Sequence, residues 1–258
     1  MTALAIEIRR LSLGDLSEIE EIEQRAYKTP WSRSMFASEL AKGTSICLGA
    51  FEGDELVGYI VNSRYVDAWH VMNVAVDPEY QRRGIATRLL ERLFELTSDD
   101  DGRGYTLEVR VSNREAIKLY EKLGYSRMRG LELWSLEEKL VFQKHKVPSV
   151  PVADAIGRSN ARPPWQRADA TVSNLADAHA LAGEAGSLIY RITSEDTASL
   201  LQVQADDEDA ILQLLGSLPE NTTRLWYMNG PEGDPVNAVL ESLGGTQVAR
   251  QHEMLLEL

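Results

Sequence analysis

Residues 74 to 87 read Val74-Ala75-Val76-Asp77-Pro78-Glu79-Tyr80-Gln81-Arg82-Arg83-Gly84-Ile85-Ala86-Thr87. A β-branched apolar run stops at Asp-Pro. A short loop with two arginines and a glycine follows, and Arg88 to Phe94 continue with helical spacing. Strand, basic glycine loop and helix start together form a cradle for an anion. The N–H groups of a first helical turn lack intrahelical partners, and the helix dipole favours negative charge there. Gly84, having no Cβ, lets a phosphate approach the backbone. The spacing Gln81-x-x-Gly84-x-Ala86 lacks the Gly-Lys-Ser/Thr ending of a P-loop and the three glycines of a dinucleotide fingerprint. Taken alone, it also fits an ordinary basic helix start. Two further side chains could handle protons. Glu108, in a β-rich stretch, could accept one or simply stand at a surface; Tyr120, in a helical stretch, could donate one or simply pack.

These groups need a scaffold, and the pattern supplies one. Ile6 to Leu11 alternate as a strand, and Leu16, Ile19 and Ile22 form a helical stripe. Ser32 has N-cap chemistry ahead of a second helix with Phe36 and Leu40 four apart. Ser45–Phe51 and Leu56–Ser63 read as strands joined by Glu52-Gly53-Asp54-Glu55. Trp69–Val76 is a strand leading into the loop, and Gly84 to about Leu96 a helix. Tyr105–Val111 is a further strand. Asn113–Leu123 is a helix stopped by Gly124, and the last strands of this part start at Tyr125 and Lys139–Phe142. The order predicts a mixed α/β sandwich around a central sheet.

The chain has 258 residues and a net charge of −13, enough for two modest domains. Residues 1–146 carry −3 and residues 147–258 carry −10, with every lysine in the first part. The step coincides with Val147-Pro148-Ser149-Val150-Pro151-Val152 and Pro163-Pro164, which predicts a domain at 1–146, a linker at 147–164 and a domain at 165–258. The acidic balance argues against nucleic acid as a partner and favours encounter with a basic peptide or protein. No apolar run is long enough for a membrane span and no leader pattern opens the chain, so a cytoplasmic protein is expected. Cys47, the single cysteine, sits in an apolar run and reads as a small buried hydrophobe. Four histidines, none at ligand spacing, predict no metal site, and His70 reads as a satisfied strand histidine.

The loop resembles the pyrophosphate loop with which GNAT-superfamily N-acetyltransferases hold acetyl-coenzyme A. Three segments narrow the resemblance to ribosomal-protein alanine N-acetyltransferases over residues 6–130. They are Thr29-Pro30-Trp31-Ser32 with Phe36 and Glu39-Leu40, His70–Val76, and above all Leu107–Tyr125. Those enzymes acetylate the N-terminal α-amino group of a small-subunit ribosomal protein. The resemblance implies acetyl-coenzyme A as co-substrate, contacted by Val74, Val76, Gln81, Arg82, Arg83, Gly84, Ile85, Ala86, Thr87 and Asn113. It also implies Glu108 as base and Tyr120 as acid, with a protein or peptide N-terminus, such as that of a ribosomal protein, as acceptor. An α-amino group has a pKa of about 7.7–8.0, so a weak base suffices. The family's adjacent tyrosine pair that lines the peptide site is missing after Tyr125; Trp134 replaces it or belongs to the core.

Residues 165–258 read as a degenerate repeat. A strand at 198–204, a helix at 207–218, a strand at 223–228 and Pro235–Gly245 echo the order of the first part. The loop equivalent is Ala205-Asp206-Asp207-Glu208-Asp209, without glycine and with four acids, and it should repel pyrophosphate. Leu240 replaces the tyrosine, and Trp226 falls at the glutamate's place. The expected fold is therefore a GNAT-like mixed sheet flanked by helices, followed by a second, degenerate GNAT-like α/β unit. That second unit is expected to bind no coenzyme and to serve in packing, in pairing subunits as a homodimer, or in shaping the acceptor site. Truncation after about residue 146 is expected to leave coenzyme binding intact. Two other functions compete with protein N-terminal acetylation: small-molecule amine acetylation and non-catalytic acetyl-coenzyme A sensing.

Overall fold

The computed structural model describes residues 5–65, 68–99, 102, 104–137, 144–157 and 164–258. In the first half of the chain the elements are β1 (Ile6–Arg10), α1 (Leu16–Ala26), α2 (Arg33–Ala41), β2 (Ser45–Glu52), β3 (Glu55–Tyr65) and β4 (Ala68–Val76). They continue with α3 (Ile85–Leu96), β5 (Gly104–Arg110), α4 (Arg114–Lys122) and β6 (Ser126–Leu136). Next come β7 (Ser149–Val150), α5 (Val152–Ala155), α6 (Asp169–Ser173), β8 (Ala178–Gly183), β9 (Gly186–Ser194) and β10 (Thr197–Gln204). The last are α7 (Glu208–Leu215), β11 (Arg224–Pro231), α8 (Pro235–Ser242) and β12 (Thr246–Glu257). The strand expected at Lys139–Phe142 lies outside the described residues. Mixed α/β architecture appears in both halves, as the sequence predicts.

The chain divides into two compact units. One comprises Met1–Glu108, Arg114–Ser126 and Met254–Leu258; the other comprises Val109–Asn113 and Arg127–Glu253. This runs differently from a linear division at 146 and 165, because proximity in space rather than chain order decides membership. Residues of β6 pair with β11 (Leu136 with Leu225, Ser135 with Trp226) inside the second unit. The stretch read as a linker contributes β7, paired with β8, and α5, whose Ala155 is buried in a small cluster with Val172, Ala180 and Ile189.

In the first unit the strand order is β1-β2-β3-β4-β5. Leu16, Ile19 and Ile22 of α1 and Phe36 of α2 pack on Cys47, Phe51, Tyr59, Val61 and Ala75. On α3, Ile85, Leu89, Leu90 and Leu93 are all buried at 2% exposure or less. Burial of Ile46, Leu48 and Ala50 between these positions of β2 shows that both faces of the strand are covered. Burial pushes the Cys47 thiol up to about 12, which keeps it protonated and unreactive.

A bulge sets the geometry of β4. Its antiparallel register with β3 runs from Val76–Gly58 to Asn73–Val61 and then jumps to Val71–Asn62, leaving Met72 as an extra residue. The parallel register with β5 pairs Trp69 with Tyr105, His70 with Thr106 and Val71 with Leu107, and ends there. A bulge bends its strand and increases the local twist. Pairing with β5 thus stops where the bend begins, at the carboxyl ends of two parallel strands, the usual place for a ligand in such sheets.

The second unit has the strand order β12-β6-β11-β10-β9-β8-β7. Its main core joins Trp134, Leu136, Leu188, Tyr190, Leu200, Leu225 and Tyr227 from the sheet to Ile211, Leu214, Val236, Val239 and Leu240 from α7 and α8. The parallel pair β10–β11 runs in register from Thr197–Arg224 to Leu200–Tyr227.

Two outcomes follow for stability. At the entry to α1, Asp15 accepts hydrogen bonds from Arg9 Nη2 and the Ser12 backbone N–H, both at 2.7 Å. The Arg9 bond above all, then the Ser12 bonds, hold its carboxyl at about 2 against the opposing cost of burial. Because the folded value lies below the unfolded one, this contribution is complete above about pH 4 and disappears as the pH falls toward 2. Asp15→Asn should cost about 1–2 kcal/mol at neutral pH and nothing near pH 2. Denaturant titrations at both pH values measure this, and a constant deficit would contradict it. The second outcome concerns Gly104, which has φ +139° and whose ideal Cβ would lie 1.9 Å from the Leu256 carbonyl oxygen. Gly104→Ala should lower the unfolding free energy by about 2–4 kcal/mol through strain and displacement of Met254–Leu258. Truncation after residue 146 removes the same five residues and should unfold the first unit rather than spare it. A truncated chain with an unchanged melting temperature would refute this.

Candidate functional site

The segment from Asp77 to Thr87 runs from the end of β4 through a short loop into α3. Asp77 is buried, accepts from the Glu79 N–H at 3.0 Å and pairs with Arg25 at 2.7 Å, fixing the turn that leaves β4. Gln81 Nε2 donates to the Val76 carbonyl at 3.1 Å and ties the loop back to the strand. Arg82 (φ 62°) and Gly84 (φ 77°) both take left-handed conformations, which turn successive N–H groups to one side. Gly84 is the N-cap of α3 and brings no capping side chain; the first intrahelical bond is from Arg88 N–H to the Gly84 carbonyl. The N–H groups of Ile85, Ala86 and Thr87 therefore precede the helical ladder. A Cβ at position 84 would meet nothing within 4 Å, so the approach to these donors is open.

The side chains of the loop divide the work. Ile85 is buried, so only its backbone can face a ligand. Arg83 pairs with Glu52, and its guanidinium lies over the Tyr80 ring at 5.0 Å. Arg82 is exposed. Val74 and Val76 are half-buried on the part of β4 beyond the bulge, with Asn73 and Ala75 buried between them.

Glu108 is not a surface glutamate. It lies one residue past the last β4–β5 rung, its side chain is 8% exposed, and its Oε2 is 3.2 Å from His70 Nε2. His70 Nδ1 lies 2.9 Å from the Thr106 hydroxyl. Thr106 and Glu108 are two apart on β5 and so share a face, with His70 on the neighbouring strand beside Thr106. No local pattern of residues signals this pairing, because the partners belong to parallel strands joined through α3. Tyr120 is buried in α4, its ring 5.6 Å from that of Tyr125, and burial raises its phenol to about 12. Tyr27, unnoticed in the sequence, donates from its hydroxyl to the Val74 carbonyl at 2.6 Å. Asn113 stands just before α4, its N–H on the Arg110 carbonyl at 2.9 Å, and it belongs to the second unit; the other expected site residues lie in the first. Trp134 is buried in the second unit's core, with its indole N–H on Glu132 at 3.0 Å.

The second unit has the same order of parallel strands and helices with different residues at these places. The N-terminus of α7 is capped by the side chain of Asp207, which accepts from the Ala210 N–H at 2.8 Å, and Glu208 and Asp209 fill its first turn. An anion there would meet a site already taken by carboxylates. One residue past the last β10–β11 rung stands Met228, not Trp226, so the register places a thioether where the first unit has Glu108. Leu240 is buried at the place of Tyr120. Among the described residues no group of three or more His, Cys, Asp or Glu could hold a metal ion, and no helix is long and apolar enough to cross a membrane.

Residues 16–125 match the acetyltransferase (GNAT) family. The chain is 35% identical over 119 residues to the ribosomal protein bS18-alanine N-acetyltransferase of Escherichia coli, covering 46% of this chain and 80% of that enzyme. It is 34% identical over 129 residues to the N-alpha-acetyltransferase RimI of Mycobacterium tuberculosis, covering 48% of this chain and 80% of that one. A tandem GNAT protein from the clavulanic acid biosynthesis pathway superposes with a TM-score of 0.70 at 14% identity, covering 98% of both chains. That last likeness shows the fold, two GNAT-like units in one chain.

Proposed function

Since the chain belongs to the GNAT acetyltransferase family, we propose that its first unit transfers the acetyl group of acetyl-coenzyme A to the N-terminal α-amino group of a protein, of the ribosomal-protein alanine type. The family makes it an N-acetyltransferase. The acceptor class rests on the two relatives, which span the residues of the cleft. The observation that carries the mechanism is Glu108, a nearly buried carboxylate beside His70 at the point where β4 and β5 part.

In this reading the pyrophosphate lies on the backbone N–H groups of Arg82 to Thr87, with Arg82 and Arg83 supplying positive charge and Gln81 holding the loop on β4. The pantetheine arm runs along Val74 and Val76, whose strand edge is released from β5 by the bulge. The neutral amine attacks the thioester carbon; the C–N bond forms, the C–S bond breaks, and the amine proton passes to Glu108 directly or through water. His70, hydrogen-bonded between Glu108 and Thr106, orients the carboxylate. Tyr120 keeps its proton throughout the physiological range. Against a thiolate with an ordinary pKa of about 8.5 it serves as a hydrogen-bond donor to the developing sulfur charge rather than surrendering its proton outright.

Two measurements test this. Calorimetry with acetyl-coenzyme A should give one site per chain, abolished in Gly84→Glu by added bulk and negative charge at the cradle; two sites, or unchanged affinity in the variant, would exclude the assigned loop. With a peptide beginning in alanine as acceptor and release of free thiol as the readout, Glu108→Gln should lower kcat by about 10²–10⁴-fold with coenzyme affinity kept. Full turnover in that variant from pH 6 to 9 would remove Glu108 from the base role.

A further inference from the structure

Glu23 stands where helical spacing calls for an apolar residue. It shares the buried face of α1 with Leu16, Ile19 and Ile22 and is only 1% exposed. Its carboxylate accepts from the Trp31 backbone N–H at 2.7 Å, from Asn73 Nδ2 at 3.2 and 3.3 Å, and from the Tyr59 hydroxyl. One side chain thus fastens three segments: β3, the residue of β4 that follows the bulge, and the loop between α1 and α2. A buried carboxylate costs several kcal/mol unless fully hydrogen-bonded, and an apolar residue would fill the stripe without that cost. Stability alone therefore gives a poor account of a glutamate here.

What it fastens points to the cleft. The loop carries Tyr27, 40% exposed, whose hydroxyl donates to the carbonyl of Val74, the residue next to Asn73. Burial above all, then the neighbouring charges of Tyr120 and Glu23, raise the Tyr27 phenol, which keeps its hydroxyl a donor. At its other end Trp31 packs on Phe36 at 5.3 Å, and Phe36 meets Tyr59 edge-on at 5.5 Å. The loop and the bulged end of β4 are therefore held together through a single carboxylate.

We propose that Glu23 is a positioning residue for acetyl transfer, locking the Tyr27–Trp31 loop onto the bulged end of β4 so that Tyr27 forms the wall against which the acceptor amine is placed. This rests on the cleft between β4 and β5 being the transfer site. Glu23 touches neither substrate; it acts through Trp31, Asn73 and Tyr59. Loss of its charge should loosen the wall that orients the acceptor and leave the coenzyme loop, which is held by Asp77 and Gln81, as it was.

The test uses the full chain, acetyl-coenzyme A and the alanine peptide, at a temperature where each variant is shown to be folded. Glu23→Gln keeps the shape and removes the charge; Tyr59→Phe removes one donor and decides the matter should Glu23→Gln fail to fold. Each should raise the acceptor KM by about tenfold, lower kcat by less than about threefold and leave the coenzyme Kd unchanged. A merely structural glutamate would lower the melting temperature without moving the acceptor KM of the folded protein. An unchanged KM in the folded variants, or a KM rise matched by an equal loss of coenzyme affinity, would overturn the proposal. Full activity of Glu108→Gln measured alongside would instead overturn the reading of the cleft on which it rests.

Discussion

One extra residue in β4 controls the rest of the first unit. A parallel strand pair lined by β-branched side chains would ordinarily remain zipped along its length, because every rung satisfies backbone groups that would otherwise need water or another partner. Met72 interrupts the register with β3, and the rungs to β5 end at Val71. Beyond it the Val74 and Val76 carbonyls accept from the side chains of Tyr27 and Gln81 instead of from β5. Glu108 stands just past the last rung, its carboxylate nearly buried against His70.

The two units show how little of a scaffold is chemistry. Both have parallel strand pairs followed by helices, and both bury a well-packed apolar core. A helix start without a capping side chain leaves its N–H groups for a ligand, whereas Asp207 consumes them internally. Met228 and Leu240 take the places of the carboxylate and the phenol. Each of these residues is compatible with a well-packed unit.

How much of this the sequence disclosed depended on chain separation. The cradle was legible because strand end, glycine and helix start are contiguous, and Ser32 capping α2 is likewise local. Glu108 and Tyr120 were found through a motif spanning one strand and one helix. His70 beside Glu108, Tyr27 on Val74 and the fourfold junction at Glu23 depend on strand registers, which residue types alone do not specify when apolar runs can slide past one another. For the same reason Trp226 was read in place of Met228, two positions apart on the strand. Part of the stretch expected as a linker at 147–164 carries β7 and α5, since prolines mark strand edges as readily as they mark tethers.

Membership of Met254–Leu258 in the first unit bears on how the protein is made. Residues up to Ser126 leave the ribosome long before those five, since synthesis proceeds at only about 5–20 residues per second. During that interval the first unit lacks the segment that lies against Gly104 and Gly124, and a sheet edge stands bare in a growing chain. Folding is then governed by a contact of very high sequence separation, a topology that slows closure and lengthens exposure of sticky intermediates. The first unit can therefore be completed only after the whole of the second has been synthesised.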